Sequence, residues 1–418
     1  MKKASLLLAF LPALAHSQSV PADAFALRNG DRVVFYGDSI TDQRLYTLFT
    51  EAFVRTRFPK LDVSFVHSGW GGDTVNGGGG GNVDQRLDRD VFPYRPTVVT
   101  VMLGMNDAGY RPFEQPLFDA YAKGYEHIVD RLKREDPGVR LTLVQPSPYD
   151  DVTRAPGFPG GYNGTLLRYS DYVKELGTRN GATIANLNGP VVTMLQAANL
   201  KDAPNAQKII PDRVHPGDAG HLVMAEALLK SWNAPDVVSS VVIENGKVTQ
   251  AQNAKVSGLS TANGLAWTQT DGALPFPLNM GDPIIRLAIE SSDFVEALNQ
   301  QTLRVNGLSG RYTLAIDGKV VGAFSADDLR DGVNLATMNT PMRVQAGRVL
   351  DLVRDRAEAH NQRWRSIQTN GFLGPENAAM KEKGDVFKAL DRYDVALDKA
   401  ARKAAQPVPH RFTLAPAA

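Results

Sequence analysis

The chain of 418 residues has no cysteine. That excludes disulfides, a thiolate nucleophile and a thiolate-ligated zinc. It also lacks any apolar run of the ~20 residues needed to span a bilayer. Charge is nearly balanced, 46 Lys and Arg against 45 Asp and Glu for a formal net charge of +1. No basic stripe interleaved with aromatics is present, so nothing points to nucleic acid as a partner. The histidines are not spaced as metal ligands: His215 and His221 stand six apart, with neither an i, i+4 pair on a helix nor clustered carboxylates nearby. The five glycines 77–81 are not followed by Gly-Lys-Ser/Thr and read as a loop, not a phosphate cradle. No cofactor and no catalytic metal are therefore expected.

What is present is an ordinary globular mixture, 43% hydrophobic and 22% charged, enough chain for two domains or one decorated domain. It starts MKKASLLLAFLPALA: two lysines, an apolar run from Ala4 to Leu14, and small residues at Ala13 and Ala15. This pattern reads as an export leader over residues 1–15, placing the mature protein in the periplasm or outside the cell.

From about residue 30 to 232, short apolar runs alternate with amphipathic ones. Strands are predicted at 32–36, 62–67, 97–103, 140–145 and 182–187. The run TVVTVML (97–103) barely alternates, as suits a central parallel strand covered on both faces. Helical patterns separate the strands, for example Tyr121, Tyr125, Ile128, Val129 and Leu132 on one face. Strand–helix alternation with right-handed crossovers gives an α/β fold, a three-layer α/β/α sandwich on a parallel, flavodoxin-like sheet, over residues 20–235. Beyond it the character changes. Asn-Gly and Asp-Gly inside 241–250 and 312–321 read as hairpin turns, giving a small β-rich unit over 236–338. Thr340 and Pro341 then suit the cap and first position of a long helix, and a second, more polar helical pattern covers roughly 376–404. Residues 339–418 are thus expected to be a helical C-terminal region, packed either on the β unit or back on the α/β domain.

In a parallel α/β sheet, ligands bind outside the carboxyl ends of the strands. The segments that follow the predicted strands carry GDSIT with Ser39, SGWGGDT with Gly71 and Gly72, GMND with Asn106, and PDRVHP with Asp212 and His215. A serine hydroxyl needs a base to take its proton. His215 can do so through one ring nitrogen while Asp212, three residues earlier, holds the other. The Ser39 N–H, the Gly72 N–H and the Asn106 side-chain amide are candidate donors to an oxyanion, with Gly71 the rival to Gly72. His221, at the start of the last helix of this region, is the rival base but has no acid three residues before it. His67 reads as a packed strand-end residue and His127 as a surface one. Asp38 and Asp107 read as turn and cap residues.

These four blocks, in order, resemble those of the SGNH (GDSL) hydrolase family over about residues 30–232. The resemblance implies a serine esterase with a Ser39–His215–Asp212 triad and an oxyanion hole of Ser39, Gly72 and Asn106. The Gly-x-Ser-x-Gly elbow of α/β-hydrolases is absent, since Thr41 occupies its second glycine position. Residues 236–418 match no family. Among related carbohydrate esterases the analogy favours acetyl esters on extracellular carbohydrate. The alternatives are a lysophospholipase, lipase or thioesterase of the same fold, and a non-catalytic glycan-binding protein. Trp70, beside the proposed oxyanion loop, either stacks on substrate or plugs the core. Tyr149 and Tyr162, in a long Pro/Gly-rich loop, are further substrate-contact candidates.

Overall fold

Val33 to Tyr36 are all buried, as a run with no polar alternation demands of a strand covered on both faces. They belong to β1 (Asp31–Gly37). In the computed structural model, which describes residues 24–262, 264–369 and 380–417, β1 lies inside a five-stranded parallel sheet. Its partners are β2 (Val63–Gly69), β3 (Val98–Met102), β4 (Arg140–Val144) and β5 (Thr183–Ala185), in the order 2-1-3-4-5. The chain therefore reverses direction across the sheet between β1 and β3. That leaves a crevice at their carboxyl ends, where ligands bind in such sheets. Helices cover both faces, making an α/β/α sandwich. The leader expected at residues 1–15 lies outside the described residues. Among the described residues no helix is long and apolar enough to cross a membrane.

The helix after β1 is a single turn, α1 (Ser39–Asp42), followed by α2 (Leu45–Arg57). The sequence gives α2 one apolar face, yet nearly all of it is buried, with Glu51 and Arg55 among the buried residues. The reason lies 300 residues away. The long helix α3 (Pro341–Asn361), capped by Thr340 with Pro341 at its first position, returns to the α/β domain and lies on α2 beside α4 (Met380–Ala404). Arg356 donates to Glu51 Oε1 at 3.1 Å and to the Phe65 carbonyl at 3.3 Å, and Arg55 donates to Asp398 Oδ1 at 2.6 Å. Burial works against the Glu51 carboxylate, but Arg55, Arg356 and His67 hold its pKa well below the ordinary range.

Between these regions lie two further sheets, one of four strands and one of five. Both expected hairpins form: Asn245 and Gly246, then Asp317 and Gly318, all have positive φ, as a two-residue type I′ turn requires. One element departs from expectation. Residues 410–416, assigned from sequence to the helical C-terminal region, form a strand, His410–Pro416, seated between Leu265–Asp271 and Arg311–Ile316. Its inward residues His410, Phe412 and Leu414 alternate, and Phe412 stacks on Trp267 at 5.1 Å. Three alternating positions at a chain end are too short a signal to stand out against the helical pattern before them.

Candidate active site

Ser39 opens α1 at the carboxyl end of β1. Asp38 caps the turn by accepting from the Ile40 N–H at 3.0 Å, which matches its sequence reading as a turn residue. Burial pushes the Asp38 carboxyl up to about 7. The turn is drawn tightly against β2: a Cβ on Gly69 would meet Asp42 N at 2.2 Å, so only glycine permits this approach.

The block with Asp212 and His215, expected directly after the last strand, instead follows two helices, Asn188–Lys201 and Ala203–Ala206, and the loop between the second of these and the helix Asp218–Ser231 brings His215 to the same edge. His215 Nε2 lies 2.8 Å from Ser39 Oγ, and Nδ1 lies 2.7 Å from Asp212 Oδ2. The other oxygen of Asp212 accepts from the backbone N–H of Val214 at 2.9 Å and of His215 at 2.7 Å. Partial burial raises the Asp212 pKa, but these bonds outweigh it and leave the carboxyl below its ordinary value. Asp212 is therefore anionic near neutral pH and fixes the imidazole with a hydrogen on Nδ1, leaving the Nε2 lone pair facing Ser39.

His221 takes a different part. Its ring is fully buried, stacked on Tyr46, with Nδ1 accepting from the Tyr46 N–H at 3.3 Å and Nε2 facing Gln43 Oε1 at 3.1 Å. Gln43 in turn donates to the Pro216 carbonyl at 3.1 Å, so His221 braces the segment that carries His215. Burial lowers its pKa to about 3, which bars it from taking up a proton near neutral pH. The unfolded chain binds that proton near ~6.5, so stability from this group is full above ~6.5 and falls as pH drops below it. A His221→Gln variant should lose stability near neutral pH through lost packing. Its deficit relative to wild type should shrink by about 2 kcal/mol between pH ~7 and pH ~5. Paired denaturant titrations at the two pH values measure this, and an unchanged deficit would contradict it.

The oxyanion candidates sit on neighbouring turns. Gly71 lies against Ser39 and Asp42, and its N–H is taken by Asp42 Oδ2 at 3.0 Å. Gly72 has φ of 79° and is exposed, and its N–H has no protein acceptor among the described residues. The Asn106 amide donates to the Asp73 carbonyl at 2.9 Å, which uses one of the two hydrogens on Nδ2. Its Oδ1 accepts from Tyr110 Oη at 3.0 Å. The amide is thus held with its second hydrogen free. Asp107 accepts from the Val75 N–H at 2.9 Å and is pushed up to about 7 by burial, a structural part as read from sequence.

Of the substrate-contact candidates, Tyr162 is enclosed, while Trp70 and Tyr149 are half-buried against neighbouring side chains. Tyr162 is buried, with its hydroxyl donated to the Met105 carbonyl at 2.5 Å, and offers a substrate no face. Tyr149 and Tyr162 instead flank Tyr110, at centroid distances of 6.3 and 4.9 Å, and so hold the group that orients Asn106. Trp70 is covered by Arg365, whose guanidinium carbon lies 3.6 Å from the ring centroid. The long loop after β4 is a brace. Its buried Asp150 binds Arg154, which donates to the carbonyls of Ile210 and Pro211 just before Asp212. Sequence reasoning missed Tyr110, Asp42 and Arg365. An acid three residues after Ser39 and a tyrosine four after Asn106 are weak signals, and Arg365 gave none.

Residues 35–223 match the model of the GDSL-like lipase/acylhydrolase family. The acetylxylan esterase of Geobacillus stearothermophilus is 26% identical over 231 residues, 48% of this chain and 94% of that protein. Among solved structures, BT4096, a gut microbial diltiazem-metabolizing enzyme, superposes with a TM-score of 0.81 at 27% identity, over 94% of this chain and 99% of that one. Its likeness thus extends through the β-rich and helical parts that the family model leaves out. The chain carries a GDSL-like lipase/acylhydrolase domain at residues 35–223 and is a carboxylic ester hydrolase.

Proposed function

We propose that this hydrolase is an exported serine esterase that removes short acyl groups, acetyl above all, from carbohydrate or comparably polar alcohols. Ser39 Oγ attacks the ester carbonyl while His215 Nε2 takes its proton. The carbonyl oxygen becomes an oxyanion held by the N–H groups of Ser39 and Gly72 and by the Asn106 amide. The imidazolium, stabilised by Asp212, returns the proton to the departing alkoxide, and the C–O bond breaks. Water then adds to the acyl-enzyme with His215 again as base, releasing the acid and free Ser39.

The observation that carries this reading is the unbroken run of hydrogen bonds from Ser39 through His215 to Asp212. The acyl preference is supported by the cavity at Ser39, about 470 Å³ in volume. Around Ser39 and His215 its wall is formed by Asp42, Gln43, Arg44, Asn361 and Arg365, all polar or charged. A long alkyl chain would gain little there, whereas hydroxyl groups would find donors and acceptors. The relative named for acetylxylan favours acetyl. Export rests on the leader pattern of residues 1–15.

Initial rates on p-nitrophenyl esters of increasing chain length test the proposal, with acetylated xylooligosaccharide as a natural-type substrate. The expected result is kcat/KM highest for acetate and falling steeply with length, together with labelling of Ser39 by a fluorophosphonate probe. A maximum at decanoate or longer would assign a lipase-type acyl site instead, and labelling at another residue would remove Ser39 from the mechanism.

A further inference from the structure

One wall of the active-site cavity comes from outside the GDSL-like domain. After α3 the chain continues as a π-helical stretch, Gln362–Thr369, an uncommon geometry often found at functional sites. It delivers two adjacent side chains to the back of the turn that holds Gly71 and Gly72. Trp364 is buried, donates from Nε1 to Asp90 Oδ1 at 2.6 Å and meets Trp70 edge-on at 5.7 Å. Arg365 lies over Trp70 and donates from Nη1 to Asp42 Oδ2 at 3.1 Å and to the Gly69 carbonyl at 3.3 Å. The inner side of the same turn is gripped by Arg86, which donates to the Ser68 carbonyl at 2.7 Å and to Asp73 Oδ2 at 2.8 Å. The residues from Ser68 to Asp73 are therefore clamped between two guanidiniums, one from their own domain and one from the C-terminal region.

Resting on the esterase reading of Ser39, we propose that Arg365 is a positioning residue for the oxyanion loop. Asp42 Oδ2 accepts from both Arg365 and the Gly71 N–H. Arg365 thereby fixes the carboxylate that occupies Gly71 and leaves the next N–H, that of Gly72, for the oxyanion. Together with Arg44, 3.8 Å from Asp42 Oδ1, it also neutralises a carboxylate standing within one turn of the nucleophile. Negative charge left less fully neutralised there would oppose the negative charge that develops on the substrate oxygen, and would do so in the transition state rather than in the bound ester. Lysine replaces this group only in part: its ammonium can reach Asp42 and Gly69, which both accept from the single nitrogen Nη1, but it lacks the planar group that covers Trp70.

The test compares wild type, Arg365→Ala, Arg365→Lys and Ser39→Ala on p-nitrophenyl acetate. Arg365→Ala should lower kcat by roughly tenfold to a hundredfold, the scale of a misplaced catalytic group, with KM within about twofold of wild type. Methylguanidinium added at millimolar concentration should restore part of the lost kcat to Arg365→Ala and leave wild type unchanged, which lost packing alone would not produce. Arg365→Lys should fall between the two in kcat, again at constant KM, and serves alone if the alanine variant fails to fold. Unchanged kcat in both arginine variants, or a loss expressed in KM alone, would overturn the positioning role. Ser39→Ala separates the two ideas. If it is inactive while the arginine variants match wild type, the clamp is wrong and the esterase reading stands. If it turns over normally, the esterase reading itself falls.

Discussion

Ser39→Ala is expected to lower kcat on acetyl esters by ~10⁶-fold, the scale seen when the nucleophile is removed from a serine hydrolase whose groups act as a unit. The substitution deletes one oxygen, and the hydrogen bond it made to His215 is a bond of function, not of fold. Asp38 still caps the turn through Ile40, so thermal stability should change by well under the ~1 kcal/mol typical of core substitutions. Asp212→Asn should cost less, ~10⁴-fold. An Asn oxygen can still accept from the Val214 and His215 N–H groups, so the loop keeps its shape. The amide nitrogen, however, would face His215 Nδ1 as a donor. The ring would then place its hydrogen on Nε2, pointing it at Ser39 where a lone pair is required. Initial rates and a thermal melt on the same preparations decide the matter. Equal turnover in Ser39→Ala and wild type would end the nucleophile assignment, and a small effect of Asp212→Asn would mean that His215 is oriented by something else.

The α/β half was legible because its signals are local. A run such as Val98–Met102 declares a buried parallel strand by lacking alternation, and the blocks with Ser39, Gly72 and Asn106 follow their strands within a few residues. The rivalry between His215 and His221 could also be weighed from sequence, since Asp212 sits within reach of one and no acid stands three residues before the other. The burial that disqualifies His221 is a tertiary fact.

What stayed hidden are contacts whose partners lie far apart in the chain. Trp364 reads as one more apolar residue on a 3.6-residue stripe, and Arg365 falls off that stripe as an ordinary exposed charge. Nothing local announces that α3 gives way to a π-helical stretch after Asn361, or that 296 residues of separation close between Arg365 and Gly69. The contacts of the aromatic candidates are hidden in the same way, since residue type alone cannot say which groups a ring such as Trp70, Tyr149 or Tyr162 will face. Here Tyr149 and Tyr162 enclose Tyr110, and Trp70 lies beneath Arg365.

Asn106→Ala is expected to lower kcat by ~10²–10³-fold with little change in KM, equivalent to ~3–4 kcal/mol of lost transition-state stabilisation. The argument rests on how the amide is held. Its oxygen is engaged by Tyr110 and one hydrogen by the Asp73 carbonyl, so the amide is held in place before substrate arrives and, as the proposed oxyanion donor, would need no reorganisation as charge develops. A ground-state ester oxygen, only weakly charged, gains little from that donor, which is why binding should hardly change. Tyr110→Phe provides the graded control. It removes one of the two contacts that hold the amide and leaves the Asp73 carbonyl alone to fix Nδ2, so the donor is less firmly positioned. A kcat loss smaller than that of Asn106→Ala, again at constant KM, is the expected result. An effect of Asn106→Ala confined to KM would instead make Asn106 a substrate contact. An unaltered kcat would leave the oxyanion to the backbone N–H groups of Ser39 and Gly72 alone.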